Sequence, residues 1–352
     1  MRGSTNVANL DHLRSVAVLT VLIDHLVPTL VYHGVPVPLL LRELTENIGH
    51  AGVLAFFVHT SLVLMHSLER MRAQRADGVP ARFYLRRAFR IYPLAIACIA
   101  LVLLAGLPDA TWRAPTSPTP SVIAANLLLV QNLFTGQSVL VPLWSLPYEV
   151  EMYVVLPALF LLARRQRGAE LIGGALVGSY FGAYALYKLD GGHMNLAGYV
   201  PCFLAGVLSY ALRHRTRRRL PGRAWPIFVV AMVLGYCYLQ LDRGGLVYWL
   251  GWLYALLLGL SIHLFSDCDL AGPNHVAQKV ATYSYGLYLL HVPCLYVVYD
   301  LWQPGSVAVS VLAFFALSAA AAVAAYHLLE APMVALGRRL TERDDARAAK
   351  PG

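Results

Sequence analysis

The chemistry this sequence offers rests on a few ionisable residues set in otherwise apolar runs. Such groups are costly in hydrocarbon and are kept for function or for pairing. Asp11, Arg14, Asp24 and His25 fall in the first apolar run, and Glu149 and Glu151 in the fourth. Arg14 and His25 are eleven residues apart, which on a helix closes to within about 20° of three full turns and rises about 16 Å. Both therefore project from one face. Glu149 lies six residues into its run, at the depth of His25, and Tyr153 follows one turn later on the same face. A histidine and a carboxylate at matched depth fit a general base with its orienting partner. They equally fit an interhelical hydrogen bond that only holds a bundle together. Asp24 adjoins His25 but leaves the helix about 100° away, which makes it the weaker partner.

A second group is cationic. In Arg82-Phe83-Tyr84-Leu85-Arg86-Arg87-Ala88-Phe89-Arg90-Ile91-Tyr92-Pro93, Arg86 and Arg90 share a face at the mouth of the third apolar run. The guanidinium fork suits phosphate, so the patch fits a phosphorylated cosubstrate arriving from the cytosol, or lipid headgroups. His291 is mid-helix and reads as a site residue or as packing. His66, His263 and His327 read as packing. No histidine pair shows metal-ligand spacing beside an acid, and no metal is expected. The five cysteines lack redox or metal spacing and read as buried thiols.

The elements that must position these groups follow from composition. Of 352 residues, 58% are hydrophobic and 13% charged, against about 25% charged in soluble domains. That excludes a disordered chain, a disulfide-rich module and an ordinary cytosolic enzyme. The alternating segments of about ten residues that build an outer-membrane barrel are absent. The pattern predicts an all-α polytopic membrane bundle. Ten runs approach the roughly 20 residues that cross a bilayer. They are Leu10–Val31, Ile48–Leu68, Ala88–Leu107, Leu143–Ala163, Leu171–Tyr187, Leu196–Leu212, Trp225–Leu241, Leu246–Phe265, Tyr283–Tyr299 and Val307–Leu329. Ser121–Phe134 is apolar but only 14 residues long, the length of a re-entrant or interfacial segment.

Charge supports that count. With ten spans and both termini cytoplasmic, 24 of the 28 cations face inward. If Ser121–Phe134 also crossed, the split would be 11 inside against 17 outside, which the positive-inside rule disfavours. The same rule accounts for the net charge of +9 without nucleic acid as a partner. No cleaved leader is expected at the N-terminus and no transporter-type repeat is evident. Residues 1–335 read as one ten-helix domain and 336–352 as a basic, disordered cytoplasmic tail.

The residues also carry a family resemblance. Leu10-Asp11-His12-Leu13-Arg14 followed by His25 resembles the Arg-x10-His signature of the acyltransferase-3 family of membrane O-acyltransferases. Five further blocks agree in order: Phe56-Phe57-Val58, then Arg86-Arg87-x-x-Arg90-Ile91-Tyr92-Pro93, then Trp144-Ser145-Leu146-x-x-Glu149-x-x-x-Tyr153. Ser284-Tyr285-Gly286-Leu287-Tyr288-Leu289-Leu290-His291 and Glu330-Ala331-Pro332 complete the set. Two places depart from the pattern. Thr60-Ser61, preceded by His59, replaces the usual Ser-Gly, removing a close-packing point, and His12 replaces a small residue.

The resemblance implies transfer of an acyl group, usually acetyl from acetyl-CoA, to a hydroxyl, usually of a sugar on an envelope or exported glycan. His25 is then the base or acyl relay, Glu149 its orienting acid and Tyr153 an oxyanion donor. Arg14, Arg86, Arg87 and Arg90 are the cations for the acyl-CoA cosubstrate, and Asp11, His291 and Glu330 are further candidates. The expected partners are acyl-CoA, a carbohydrate or glycolipid acceptor, membrane lipids and a separate extracytoplasmic protein, in a bacterial-type inner membrane. A sugar on a secreted small molecule such as a macrolide is an alternative acceptor, and a glycan transporter or flippase is the alternative class.

Overall fold

The computed structural model describes residues 7–74, 78–111, 117–189, 196–215, 219–241 and 247–348. Arg2, Arg75, Arg113, Arg217, Arg218, Arg243 and Lys350 of the charge count lie outside the described residues, as does Leu246 at the start of the eighth apolar run. Among the described residues every regular element is helical, and the β-type pairing is confined to one isolated bridge between Leu220 and Phe265.

In chain order the helices are α1 (Val7–Tyr32), α2 (Leu39–Thr45), α3 (Ile48–Gln74), α4 (Val79–Ala105), α5 (Pro120–Leu127), α6 (Gln131–Phe134) and α7 (Leu146–Ala163). They continue with α8 (Gly168–Leu189), α9 (Leu196–Leu212), α10 (Trp225–Gln240), α11 (Tyr248–Ser261), α12 (Ala271–Tyr296), α13 (Val307–Ala325) and α14 (Ala331–Ala348). Each of the ten apolar runs carries a helix. Seven helical stretches among the described residues are long and apolar enough to cross a membrane, and α9 and α11 are shorter apolar helices. In lipid the backbone must satisfy itself within each segment, which makes helix the outcome for every such run.

The 14-residue stretch behaves differently. It breaks into α5 and α6 at Leu129, whose φ is +54°, and neither piece is long enough to cross about 30 Å. Thr119 caps α5 by accepting from the Val122 N–H, with Pro120 in the first turn. The C-terminal tail also differs from expectation. Helix α14 runs to Ala348, so residues 336–348 continue a helix that begins at Ala331.

Contacts cluster into two compact units, Met1–Ser67 with Glu151–Ser284, and Leu68–Val150 with Tyr285–Gly352. The first unit is built on close helix approaches. A Cβ on Gly52 would strike Thr20 and the Ala17 carbonyl of α1, and one on Gly206 would strike Ser61 and the Val58 carbonyl of α3. Small residues let helices approach where lipid supplies no hydrophobic drive between them. The close-packing point missing from His59-Thr60-Ser61 is thus supplied by α9. The stacked rings of Phe57 and Phe203, 4.4 Å between centroids, add about 1 kcal/mol at the same contact.

Asn9, fully buried, anchors the start of α1. Its amide donates to the Ser266 carbonyl (2.9 Å) and accepts from the Cys268 N–H (2.9 Å), while its carbonyl accepts from the Trp225 indole (2.8 Å). His12 extends this network through Asn274 (2.8 Å), and the Ser15 hydroxyl donates to the Ala277 carbonyl (2.8 Å).

Candidate active site

Helix α1 carries the first group of candidates in the first unit. His25 is buried, and its Nε2 lies 3.7 Å from Asp24 Oδ2. The other carboxylate oxygen, Oδ1, accepts from the Gly49 N–H at 3.2 Å. That amide is one of the unsatisfied donors in the first turn of α3, where a carboxylate is favoured. A Cβ on Gly49 would collide with the Asp24 side chain, so the glycine admits the carboxylate. Asp24 and His25 leave the helix in different directions, yet their side chains converge. Adjacent Cβ atoms diverge by about 100°, but the carboxylate is drawn to α3 and the imidazole is long enough to reach back to it.

Arg14 lies three turns before His25, within electrostatic range of Asp11 and of buried His59. The extra imidazole at position 59 thus lies within electrostatic range of the signature arginine. Tyr153 is buried on α7 in this first unit. A network not anticipated from sequence joins α3 and α10: the His50 ring meets the Tyr236 hydroxyl (2.8 Å), to which Gln240 also donates (2.8 Å).

The second unit draws four of the sequence blocks together. Glu149 sits half-buried in the first turn of α7. The Ser145 hydroxyl is bonded to the Tyr288 hydroxyl at 2.7 Å, joining the Trp-Ser-Leu and Ser-Tyr blocks. The Arg90 guanidinium pairs with the carboxylate of Glu330, whose side chain is 1% exposed, and lies 5.7 Å from the centre of the Tyr285 ring. Tyr285 donates in turn to the Ile91 carbonyl at 2.7 Å. His291 is fully buried, its Nδ1 bonded to the carbonyls of Leu287 (3.1 Å) and Tyr288 (2.9 Å) in its own helix.

The arginine patch divides. Arg86 donates from Nε to the Thr341 hydroxyl at 3.0 Å. Arg87 and Arg90 line a cleft of about 580 Å³ together with Tyr326, Arg338, Arg339 and Glu342. Arg338 and Arg339 were counted in sequence only as tail charges, because nothing in their spacing relates them to α4. A second cleft, about 910 Å³, lies in the connection between α4 and α7 and is lined by Asp109, Gln137, Ser138 and Trp144. Its walls are held by two buried amides. Asn126 donates to the Gln137 carbonyl (2.9 Å) and accepts from the Val139 N–H (3.0 Å), and Gln131 donates to the Leu143 carbonyl (2.9 Å). All five cysteines are buried free thiols.

Long apolar helices, one of them carrying a buried histidine beside a partly buried carboxylate, define a multi-pass membrane protein, and an arginine cleft lies in the second unit. The family model described as an acyltransferase domain matches residues 7–328, and the chain belongs to this acyltransferase-3 family. It is a membrane acyltransferase. No curated protein and no solved structure matches it at a significant level.

Proposed function

We propose that the protein moves an acetyl group from acetyl-CoA to a hydroxyl of a sugar on an envelope or exported glycan, in a bacterial-type inner membrane with both termini cytoplasmic. The observation that carries this reading is buried His25 with Asp24 3.7 Å from its Nε2 on the signature helix. A carboxylate at that distance stabilises the imidazolium formed when histidine takes a proton. The acceptor oxygen attacks the thioester carbonyl as its proton passes to His25. The carbon–sulfur bond then breaks, and the departing thiolate takes that proton to leave as CoA. Tyr153 is the proposed donor to the oxyanion, Glu149 the second candidate carboxylate, and Arg14 a supporting cation.

The cleft at Trp144 supports a carbohydrate acceptor. An indole beside Asp109, Gln137 and Ser138 offers the apolar face and the hydrogen-bonding groups that a sugar ring uses. A transporter reading has less support, because the ionisable groups concentrate on α1, the start of α7 and the arginine mouth of α4 with Glu330, and the sequence shows no evident transporter-type repeat. The test is mass spectrometry of envelope glycans and secreted metabolites from cells carrying wild type or His25→Ala. Loss of acetyl from one glycan species in the variant is expected. Loss from a secreted small molecule instead would reassign the acceptor, and no difference in any species would defeat the enzyme reading.

A further inference from the structure

The cleft shared by α4 and α14 carries four arginines, Arg87, Arg90, Arg338 and Arg339, against one carboxylate, Glu342. Part of that charge is already balanced, since Arg90 pairs with Glu330. The geometry of α14 explains why its own pair belongs to the cleft. A Cβ on Gly337 would press on Phe89 of α4, and Thr341, one turn later, accepts from Arg86. These two contacts fix the rotation of α14. Ala331, Ala335, Arg338 and Glu342, spaced by four, three and four residues, then form one stripe along the cleft. Tyr326, in the wide turn of backbone between α13 and α14, adds an aromatic face. Wide turns of this kind recur at functional sites.

An excess of arginine beside an aromatic ring, in a cleft of about 580 Å³, matches the needs of a nucleotide bearing several phosphates. Burial orders the cations. Arg87 and Arg90 are half-buried, whereas Arg338 and Arg339 are exposed at the mouth. In CoA the ribose 3′-phosphate lies at the end remote from the thioester, so it meets the outermost cations when the acyl end is directed inward. We infer that Arg338 and Arg339 bind the 3′-phosphate of CoA, with Arg87 on the pyrophosphate. This rests on the acyl-CoA reading above and extends it to a helix outside the matched residues 7–328.

The same cations suit the phosphate of an anionic lipid headgroup, and the experiment separates the two sources. The full-length protein is placed in nanodiscs of phosphatidylcholine alone or with phosphatidylglycerol, and the affinities of CoA and dephospho-CoA are measured. Arg338→Gln/Arg339→Gln is expected to weaken CoA about tenfold or more and to leave dephospho-CoA unchanged. Arg338→Lys/Arg339→Lys should recover part of the loss, and Arg87→Gln should weaken both ligands. Both variant side chains are exposed, and thermal unfolding checks that the bundle is intact. Equal weakening of both ligands, or an unchanged CoA affinity, overturns the assignment; an Arg87→Gln loss in that case leaves the acyl-CoA reading standing. Displacement of CoA by phosphatidylglycerol, with no variant effect in phosphatidylcholine alone, assigns the cleft to lipid instead. If wild type binds neither ligand, the acyl-CoA reading falls and this inference with it.

Discussion

The histidine site on α1 and the arginine cleft between α4 and α14 manage charge in opposite ways. At the first, one imidazole meets one carboxylate, and that carboxylate is also held by the backbone of α3 at Gly49. The group is close to self-neutral and satisfied without a ligand. At the second, four arginines meet two carboxylates, Glu342 in the cleft and Glu330 on Arg90, and the cationic excess that is left suits an anion from outside. The contrast follows from the two tasks. A base that shuttles a proton works best with its charge compensated in place, because an uncompensated ion in a dry interior is expensive. A site that captures a phosphorylated ligand must keep a net cationic excess until the ligand arrives.

Substitutions at the two sites should therefore fail in different ways. The largest effect is expected from His25→Ala: turnover of acetyl-CoA by purified protein falls about a thousandfold, with CoA affinity and thermal unfolding close to wild type. Retention of full turnover by a folded His25→Ala protein would remove the distinction between the sites. Glu330→Ala is expected to cost about 2–3 kcal/mol of stability, somewhat less than the roughly 3–5 kcal/mol of a fully buried pair because Arg90 is partly exposed. Its CoA affinity should hold or rise, since the cleft gains a cation. A fall in affinity with unchanged stability would show that the Arg90–Glu330 pair itself contacts the ligand.

Asp24→Asn keeps an oxygen for the Gly49 N–H but removes the charge beside His25. About a tenfold lower kcat with unchanged KM is expected, the size of one partly buried ion pair. If Asp24→Asn is silent and Glu149→Gln is not, the partner role returns to Glu149. The smallest effect belongs to Asp269, whose carboxyl is held below its ordinary range, first by the hydrogen bond from Arg223. A depressed carboxyl pKa contributes stability at neutral pH that is lost as the pH falls through the folded value. Wild type and Asp269→Asn should therefore differ little in unfolding at pH 7, the pair being exposed. They should converge in acid, below the unfolded carboxyl's value of about 3.9.

How much of this was legible in sequence depended on the range of the interaction. The helix runs were readable because hydrocarbon leaves the backbone no partner beyond its own segment, so about 20 apolar residues suffice to specify the element. The break at Leu129 was implied by length, though not by position. The placement of Arg14 and His25 on one helix followed from helical geometry alone. The position of the Asp24 carboxylate was not legible, because the direction of a Cβ does not settle where a carboxylate ends when a neighbouring helix N-terminus attracts it. The cleft position of Arg338 and Arg339 was not legible, because a cation near a helix end looks the same in sequence whether it flanks a membrane or lines a cleft.

The sequence by itself determined a polytopic helical membrane protein, its family blocks and the small set of ionisable residues to inspect. Each of those is local, fixed by segment length, period and residue type. Only the tertiary structure decided which partners those residues meet: Asp24 with His25 over Gly49, Glu330 with Arg90, Thr341 with Arg86, and the α14 arginines with Arg87. These choices depend on helix rotation, on where a glycine lets two backbones close, and on side-chain reach across as many as 255 residues of chain. Packing settles such quantities, and composition and spacing do not.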